Sequence, residues 1–511
     1  MQIERTKNAV KNSVSGIIYR VVCLLFPFAI RTILIRKLGI EYAGLGSLFT
    51  SLLQVLSLSE LGFSTVVAFA MYKPVAEDNR PLVCALLGFI RKVYYIVGAA
   101  ILVAGLAVTP FLPKLIKGEA PADINLYILY FIYLANTVVS YFVFAYKSVL
   151  LAAFQRNDIE NVIMTISYIA MYVLQVAVLL IFKNYYVYIV FLPLCTLSVN
   201  LARSAYVNKK YPDYKAEDTL GEAEKKAVFK NIGAMIGHRL SGTVIFSGTN
   251  IVISSRLGLE TLGVYNNYFY IVNSLIAIIS VLYTALTAGI GNNIVTADVK
   301  KNYDDFNTLT FLNVWLVGWM SITLLCLFQH FMRIWMNGDE DKMLGNSSAF
   351  LFALLLYLWK FKDILSTYKD AAGMWKDDFF KPYTVAAVTL LLSLALIGKM
   401  GVNGAIVATI AGVFVVSMPW ETHAFFKNYF GFSPAKYYLR MLLYTTVVAA
   451  AGALTCFVCF KLPETGVLWL LLKGAICIAL PNAVFLSVSF KTREFKVVLE
   501  KIKYLIKWKQ G

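Results

Sequence analysis

Acidic side chains are scarce: 29 Asp and Glu stand against 47 Lys and Arg, and only 15% of the 511 residues are charged at all. A soluble surface on a chain this long needs more charge than that. The three histidines fall in no His/Glu zinc spacing, and neither a Walker-type phosphate loop nor a dinucleotide glycine motif occurs, so ATP hydrolysis and nicotinamide chemistry are not expected. Six of the seven cysteines, Cys23, Cys195, Cys326, Cys456, Cys459 and Cys477, lie in apolar runs long enough to be spans, and Cys84 lies in an apolar stretch on the expected cytosolic side. Neither disulfide nor metal chemistry is therefore expected, and no metal ligand is assigned. The expected outer loops are also short. That leaves little room for the loop-borne active site of a membrane glycan polymerase or glycosyltransferase.

What the chain has instead is hydrocarbon: 59% of its residues are hydrophobic. Apolar stretches of about 18 residues or more recur from end to end, each able to cross the bilayer as a helix. Runs such as 97–112 and 388–397 do not alternate, which excludes a barrel. The expected fold is an all-α polytopic membrane protein of about fourteen transmembrane helices, near 14–35, 43–70, 93–112, 124–150, 159–182, 186–207, 230–255, 263–291, 308–331, 347–367, 380–398, 403–425, 438–459 and 466–489. Arg5, Lys7 and Lys11 precede the first run, but no small-residue cleavage site follows, so it reads as a retained helix. Most Lys and Arg fall on one side if both termini are cytosolic, as the positive-inside rule requires. The net charge of +18 is thus a topology signal, and nucleic acid is not an expected partner.

The sequence repeats itself. Lys37-Leu38-Gly39-Ile40-Glu41 with Gly44 returns 219 residues later as Arg256-Leu257-Gly258-Leu259-Glu260 with Gly263. At the same offset Lys11-Asn12 matches Lys230-Asn231, Ile17 matches Ile236, Arg20 matches Arg239, Ala152-Ala153 matches Ala371-Ala372 and Asp158 matches Asp377. An even number of spans separates equivalent helices, so the halves run in the same orientation. The expected organisation is an N-lobe of six helices (1–207), a charged cytosolic linker (208–227), a C-lobe of six helices (228–431), two further helices (432–490) and a basic amphipathic tail (491–511) suited to an anionic inner leaflet. The two lobes are expected to be parallel, with a cleft between them.

Arg20, Arg31, Arg239 and Lys473 fall inside spans, where an unpaired cation costs from about 3 to more than 10 kcal/mol. Arg20 and Arg31 are eleven residues apart, about three helical turns, and so share a face. The equivalent helix carries Arg239, Thr243 and Asn250. Guanidinium groups from both repeats suit bidentate capture of phosphate, although snorkelling to the interface would also satisfy them. Asn250, Asn266, Asn267 and Tyr268 are candidate partners for a sugar. Glu60 is the one clear interior carboxylate; it would neutralise an arginine or couple to Na+ or H+. His238 beside Arg239 reads either as a packed residue or as a proton switch.

The stretches RTILIRKLGIEYAGLGSLFTSLLQVLSLSELG (31–62) and YKSVLLAAFQRND (146–158) resemble the bacterial polysaccharide-biosynthesis flippases of the MATE-like exporter superfamily. The resemblance implies a V-shaped pair of lobes, alternating access and an undecaprenyl-pyrophosphate-linked oligosaccharide as cargo, moved across the cytoplasmic membrane. It implies arginines on the first helix of each lobe, the pattern that Arg20 and Arg239 match, and no enzymatic activity. No cofactor is implied; coupling to Na+ or H+, or membrane potential alone, would drive transport. Membrane lipids and a glycan polymerase or export machinery are the implied partners. A MATE-type cation or multidrug antiporter is the alternative, and it would need an acidic, aromatic cleft that one carboxylate against three arginines does not provide.

Overall fold

A computed structural model describes residues 5–57, 62–216, 219–374 and 377–510, and these are helical throughout with no strand. The chain divides into two compact units, residues 1–263 and 264–511. The first holds α1 (Arg5–Lys37), α2 (Ile40–Leu56), α3 (Phe63–Ala76), α4 (Arg80–Val108), α5 (Leu126–Phe142), α6 (Lys147–Ala153), α7 (Asn157–Ile181), α8 (Tyr185–Lys210) and α9 (Glu222–Leu257). Next come α10 (Leu259–Thr296), whose first turn still belongs to the first unit, α11 (Val299–Trp335), α12 (Asn346–Lys360), α13 (Asp363–Ala371), α14 (Lys381–Met400) and α15 (Val402–Ile410). Then α16 (Met418–Phe425), with π-helical segments on either side, is followed by α17 (Ala435–Cys459), α18 (Val467–Ser489) and α19 (Arg493–Gln510).

Asparagine and aspartate set where several of these helices start. Asn79 Oδ1 accepts from Leu82 N, Asn125 Oδ1 from Tyr127 N, Asn184 Oδ1 from Val187 N and Asp298 Oδ1 from Lys301 N, each satisfying an otherwise orphaned first-turn amide. Between these starts the apolar runs leave large side chains exposed on the outside, among them Ile17, Val21, Phe69, Leu391, Leu442 and Leu468. A bilayer is the environment that accommodates them, and the chain is a multi-pass membrane protein. Among the described residues ten helices are long and apolar enough to cross, or eleven if the bent pair α5–α6 counts as one. The expected spans 43–70, 230–255 and 347–367 do not meet that measure. The first is divided into the short helices α2 and α3, α9 carries Lys230, Asn231, His238, Arg239 and Asn250 along its length, and the third is broken between α12 and α13.

The repeated motif has a local physical meaning. A basic residue ends one helix, Lys37 in α1 and Arg256 in α9, and a carboxylate opens the next, Glu41 in α2 and Glu260 in α10. Each charge complements the helix dipole it sits on. The chain breaks between them at Gly39 (φ 134°) and Gly258 (φ 99°), a backbone region that other residues rarely adopt. One turn later the second glycines pack reciprocally. A Cβ on Gly263 would lie 2.5 Å from the carbonyl oxygen of Ile40, and one on Gly44 would meet the carbonyl oxygen of Leu259, the residue equivalent to Ile40. The two copies thus touch through matching atoms, as a local two-fold relation requires. Gly44→Leu is expected to lower thermal stability in detergent by at least about 1–3 kcal/mol through overpacking. Gly289→Ala, whose added methyl would meet nothing within 4 Å, should change little.

Part of the expected linker packs on the first unit. α8 runs to Lys210, Tyr211 stacks on Phe154 at 4.5 Å, and Asp213 pairs with Arg80 at 3.3 Å. In the second unit α11 is the central helix, with α17 and α18 packed along it. The indole N–H groups of Trp315 and Trp319 donate to Asn482 Oδ1 (2.7 Å) and the Cys477 carbonyl (2.9 Å) on α18. Residues Arg493–Gln510 form α19. Its Phe495 stacks on Trp315, while Arg493 and Lys501 pair with Asp304 and Asp305 of α11.

Candidate substrate-binding face

Helix α1 has two chemically distinct faces. One packs on α7: Asn12 accepts from the Asp158 amide (2.6 Å) and donates to the Gln155 carbonyl, Asn161 donates to Ser15 Oγ, and Phe26 stacks on Tyr172. The other face carries Arg20 and Arg31. Arg20 is exposed between Ile17 and Val21, which are exposed as well. Arg31 is half-buried three turns further along, about 16 Å away on the helix axis, and its Nη2 donates to the Gly263 carbonyl at 3.3 Å. Its charge bears on the hydroxyls of Tyr185 and Tyr188 of α8.

A polar seam runs between α2 and α9. Asn250 of α9 donates to Ser51 Oγ of α2 at 2.8 Å, and Ser247 donates to Gln54 Oε1 at 3.0 Å. With the Gly263–Ile40 approach at its other end, this seam fixes α2 against α9 and the first turn of α10. Asn250 lies in this seam, and Arg31 of α1 reaches the same group of helices through its bond to the Gly263 carbonyl. The side chains of His238 and Arg239 in α9, and Glu60 altogether, lie outside the described residues. The candidates on α10 sit differently: Asn266 is half-buried, whereas Asn267 and Tyr268 are fully buried within the second unit. Tyr268 donates to Gln329 Oε1 at 2.6 Å and accepts from the Leu344 amide, and Asn267 Nδ2 lies 3.9 Å from Met336 Sδ.

The sequence reading missed a second set of interior charges. Glu421 is 4% exposed within Val402–Phe430, so Glu60 is not the sole interior carboxylate expected above. It accepts from Lys362 Nζ (2.6 Å) and Ser366 Oγ (2.8 Å), and it pairs with Lys381. Lys381 also pairs with Asp378 (2.6 Å), which in turn pairs with Lys369. These groups come from α13, α14, α16 and the turn before α14. The first unit has an analogous arrangement: Arg203 of α8 pairs with Glu160 of α7 and accompanies Asn200 (2.7 Å), while Lys147 of α6 donates to Ser204 and Asn208. Asp378 and Lys381, three apart, are the only local signal. The pairs that matter most lie 40 and 59 residues apart. Because Glu421 is matched by lysines, it does not add the acidic cleft that an organic-cation site needs.

A nearly pure hydrocarbon groove of about 530 Å³ runs along α10 and α11, lined by Ile271, Leu275, Ile278, Leu282, Trp319 and Leu327 among others.

The helix order and packing are those of the MATE-like transporter and lipid-flippase fold. Among solved structures the chain is similar to the lipid II flippase MurJ in an inward closed conformation, with TM-score 0.69, 13% identity, and 94% of this chain and 98% of that one covered. It is also similar to an inward-facing multidrug resistance MATE family transporter of the MOP superfamily (TM-score 0.63, 12% identity, 78% and 93% covered). A MATE structure in the bent conformation aligns at TM-score 0.53 with 13% identity over 87% of this chain and 97% of that one. These are likenesses of fold. No protein-family model matches the sequence, and no curated protein matches it.

Proposed function

We propose that this chain flips an undecaprenyl-pyrophosphate-linked oligosaccharide from the inner to the outer leaflet of a bacterial cytoplasmic membrane by alternating access, with both termini cytosolic. The observation that carries the reading is the cationic face of α1, with Arg20 exposed and Arg31 half-buried away from the α7 contact. Left against hydrocarbon, Arg20 would cost from about 3 to more than 10 kcal/mol; a water-filled, anion-accepting path removes that cost. A diphosphate meets such groups through charge-assisted, bidentate hydrogen bonds. The apolar groove along α10 and α11 suits a polyprenyl tail, and MurJ, whose fold this chain shares, is itself named a lipid II flippase.

In this reading fourteen helices cross the membrane. Arg20 and Arg239 capture the diphosphate near the cytosolic side, and Arg31 with Asn250 passes it outward as the α2–α9 seam parts. Asn266 and the neighbouring Asn267 and Tyr268 serve the sugar path or hold α10 in shape. Outward movement of an anion is favoured by roughly 2.3 kcal/mol per charge at 100 mV, inside negative. Membrane potential alone suffices, with no obligatory ion and no enzymatic step. The exported unit would pass to a glycan polymerase.

Proteoliposomes test the reading. Purified protein should move a labelled polyprenyl-diphosphate sugar between leaflets, accelerated by an imposed potential. Uptake of cationic dyes without glycolipid movement would establish the antiporter instead, and turnover of the glycan in detergent would establish an enzyme.

A further inference from the structure

All four cysteines of the second unit converge on one point. Cys326 comes from α11, Cys456 and Cys459 from successive turns of α17, and Cys477 from α18. The sulfur atoms of Cys326, Cys459 and Cys477 lie within 4.8 Å of one another. Cys456 Sγ is 3.5 Å from Cys326 Sγ, and Cys459 Sγ is 3.9 Å from Cys477 Sγ. A tetrahedral ion with metal–sulfur bonds of about 2.3 Å sets its sulfurs roughly 3.8 Å apart, so the trio already approximates three of its four positions, with Cys456 next to Cys326 to supply the fourth. Around it the packing is apolar, from Ile322, Ala451, Trp319 and Val447 among others.

A second observation concerns charge. Lys473 is 1% exposed, within the membrane span of α18, and makes no ion pair among the described residues. It precedes Cys477 by four residues and so sits on the same face of α18, one turn away. The carboxylate that its charge reaches, Glu464, is exposed and already paired with Arg333, so the buried ammonium is poorly compensated and unfavourable. Thiolates on a metal supply a counter-charge, because a divalent ion with four thiolates, or a monovalent ion with three, forms a doubly negative centre.

We propose that Cys326, Cys459 and Cys477, with Cys456 beside Cys326 as a further donor, bind one thiophilic d10 cation, Zn(II) or Cu(I), with Lys473 offsetting part of the negative charge of the thiolate centre. Loading exchanges thiol protons for the metal and releases them to solvent. The ion ties α17 and α18 to α11, so it acts as a clip within the second unit and does not depend on the transport reading above.

The test uses the full chain, purified in detergent through a histidine-free tag with a phosphine reductant and no chelator. Elemental analysis should find about one equivalent of metal per chain, and whether zinc or copper predominates identifies the ion. After the metal is stripped, added Co(II) should give thiolate-to-cobalt charge-transfer absorption and tetrahedral d–d bands. Cys459→Ser and Cys477→Ser should weaken uptake about tenfold or more, while Cys84→Ser and Cys195→Ser in the first unit leave it unchanged. The wild-type measurements stand even if a serine variant fails to fold. Wild-type protein that holds no metal, shows no cobalt bands and titrates as seven free thiols on denaturation would overturn the proposal, as would a Cys326–Cys456 or Cys459–Cys477 disulfide in the protein as isolated.

Discussion

Glu421→Ala should destabilise the protein by about 3–5 kcal/mol, because it leaves Lys362 and Lys381 charged and buried without their carboxylate. In the intact protein Lys362, Lys381 and Glu421 are at most 7% exposed at their side chains, so water cannot replace the lost partner. Asp378 still pairs with Lys381 and Lys369, but among the described residues Lys362 keeps a hydrogen bond to Ser366 Oγ at 3.2 Å and no direct ion pair. The effect should appear as an earlier intrinsic tryptophan fluorescence transition on heating in detergent. Replacing the three charges together, E421M with K362M and K381M, should recover much of the loss, since an apolar set avoids the desolvation penalty altogether. A Glu421→Ala protein that melts with the wild type would mean that the cluster is hydrated and the carboxylate dispensable.

The larger effect on activity should come from α1. Each charge-assisted hydrogen bond to phosphate contributes about 1.5–3 kcal/mol. Arg20→Ala and Arg31→Ala should therefore each slow glycolipid flipping roughly ten- to a hundredfold, and together abolish it. The stability readout separates the two positions. Arg20 is exposed, so its removal should leave the melting transition unmoved, while Arg31→Ala also loses the bond to the Gly263 carbonyl and should melt slightly earlier. Arg31→Lys keeps the charge but not the planar fork, and should rescue only part of the activity.

Much of this architecture is legible in the sequence because its signals are local. The break at Gly39 and its copy at Gly258 announce themselves through a basic residue before and an acidic residue after. The face shared by Arg20 and Arg31 follows from helical periodicity. The count of apolar spans is harder to read, because α2 and α3 are separate short helices and α9 is diluted with polar residues. Contacts between distant segments are invisible at this level. Lys362, Lys369 and Lys381 read as ordinary loop and helix-end lysines until Glu421 and Asp378 are placed among them. The cysteines read as scattered apolar residues until α11, α17 and α18 pack. On α10 the polar pattern marks Asn267 and Tyr268 as unusual, but it does not reveal that Tyr268 bonds to Gln329.

The proposed role of the α1 guanidinium groups comes down to a titration: a polyprenyl-diphosphate sugar added to wild-type protein and to the Arg20→Ala/Arg31→Ala double variant, in detergent at low salt. The wild type should bind, with affinity falling as salt rises, and the double variant should bind at least about a hundredfold more weakly while remaining folded. Equal affinity in the two proteins would contradict phosphate capture by these arginines.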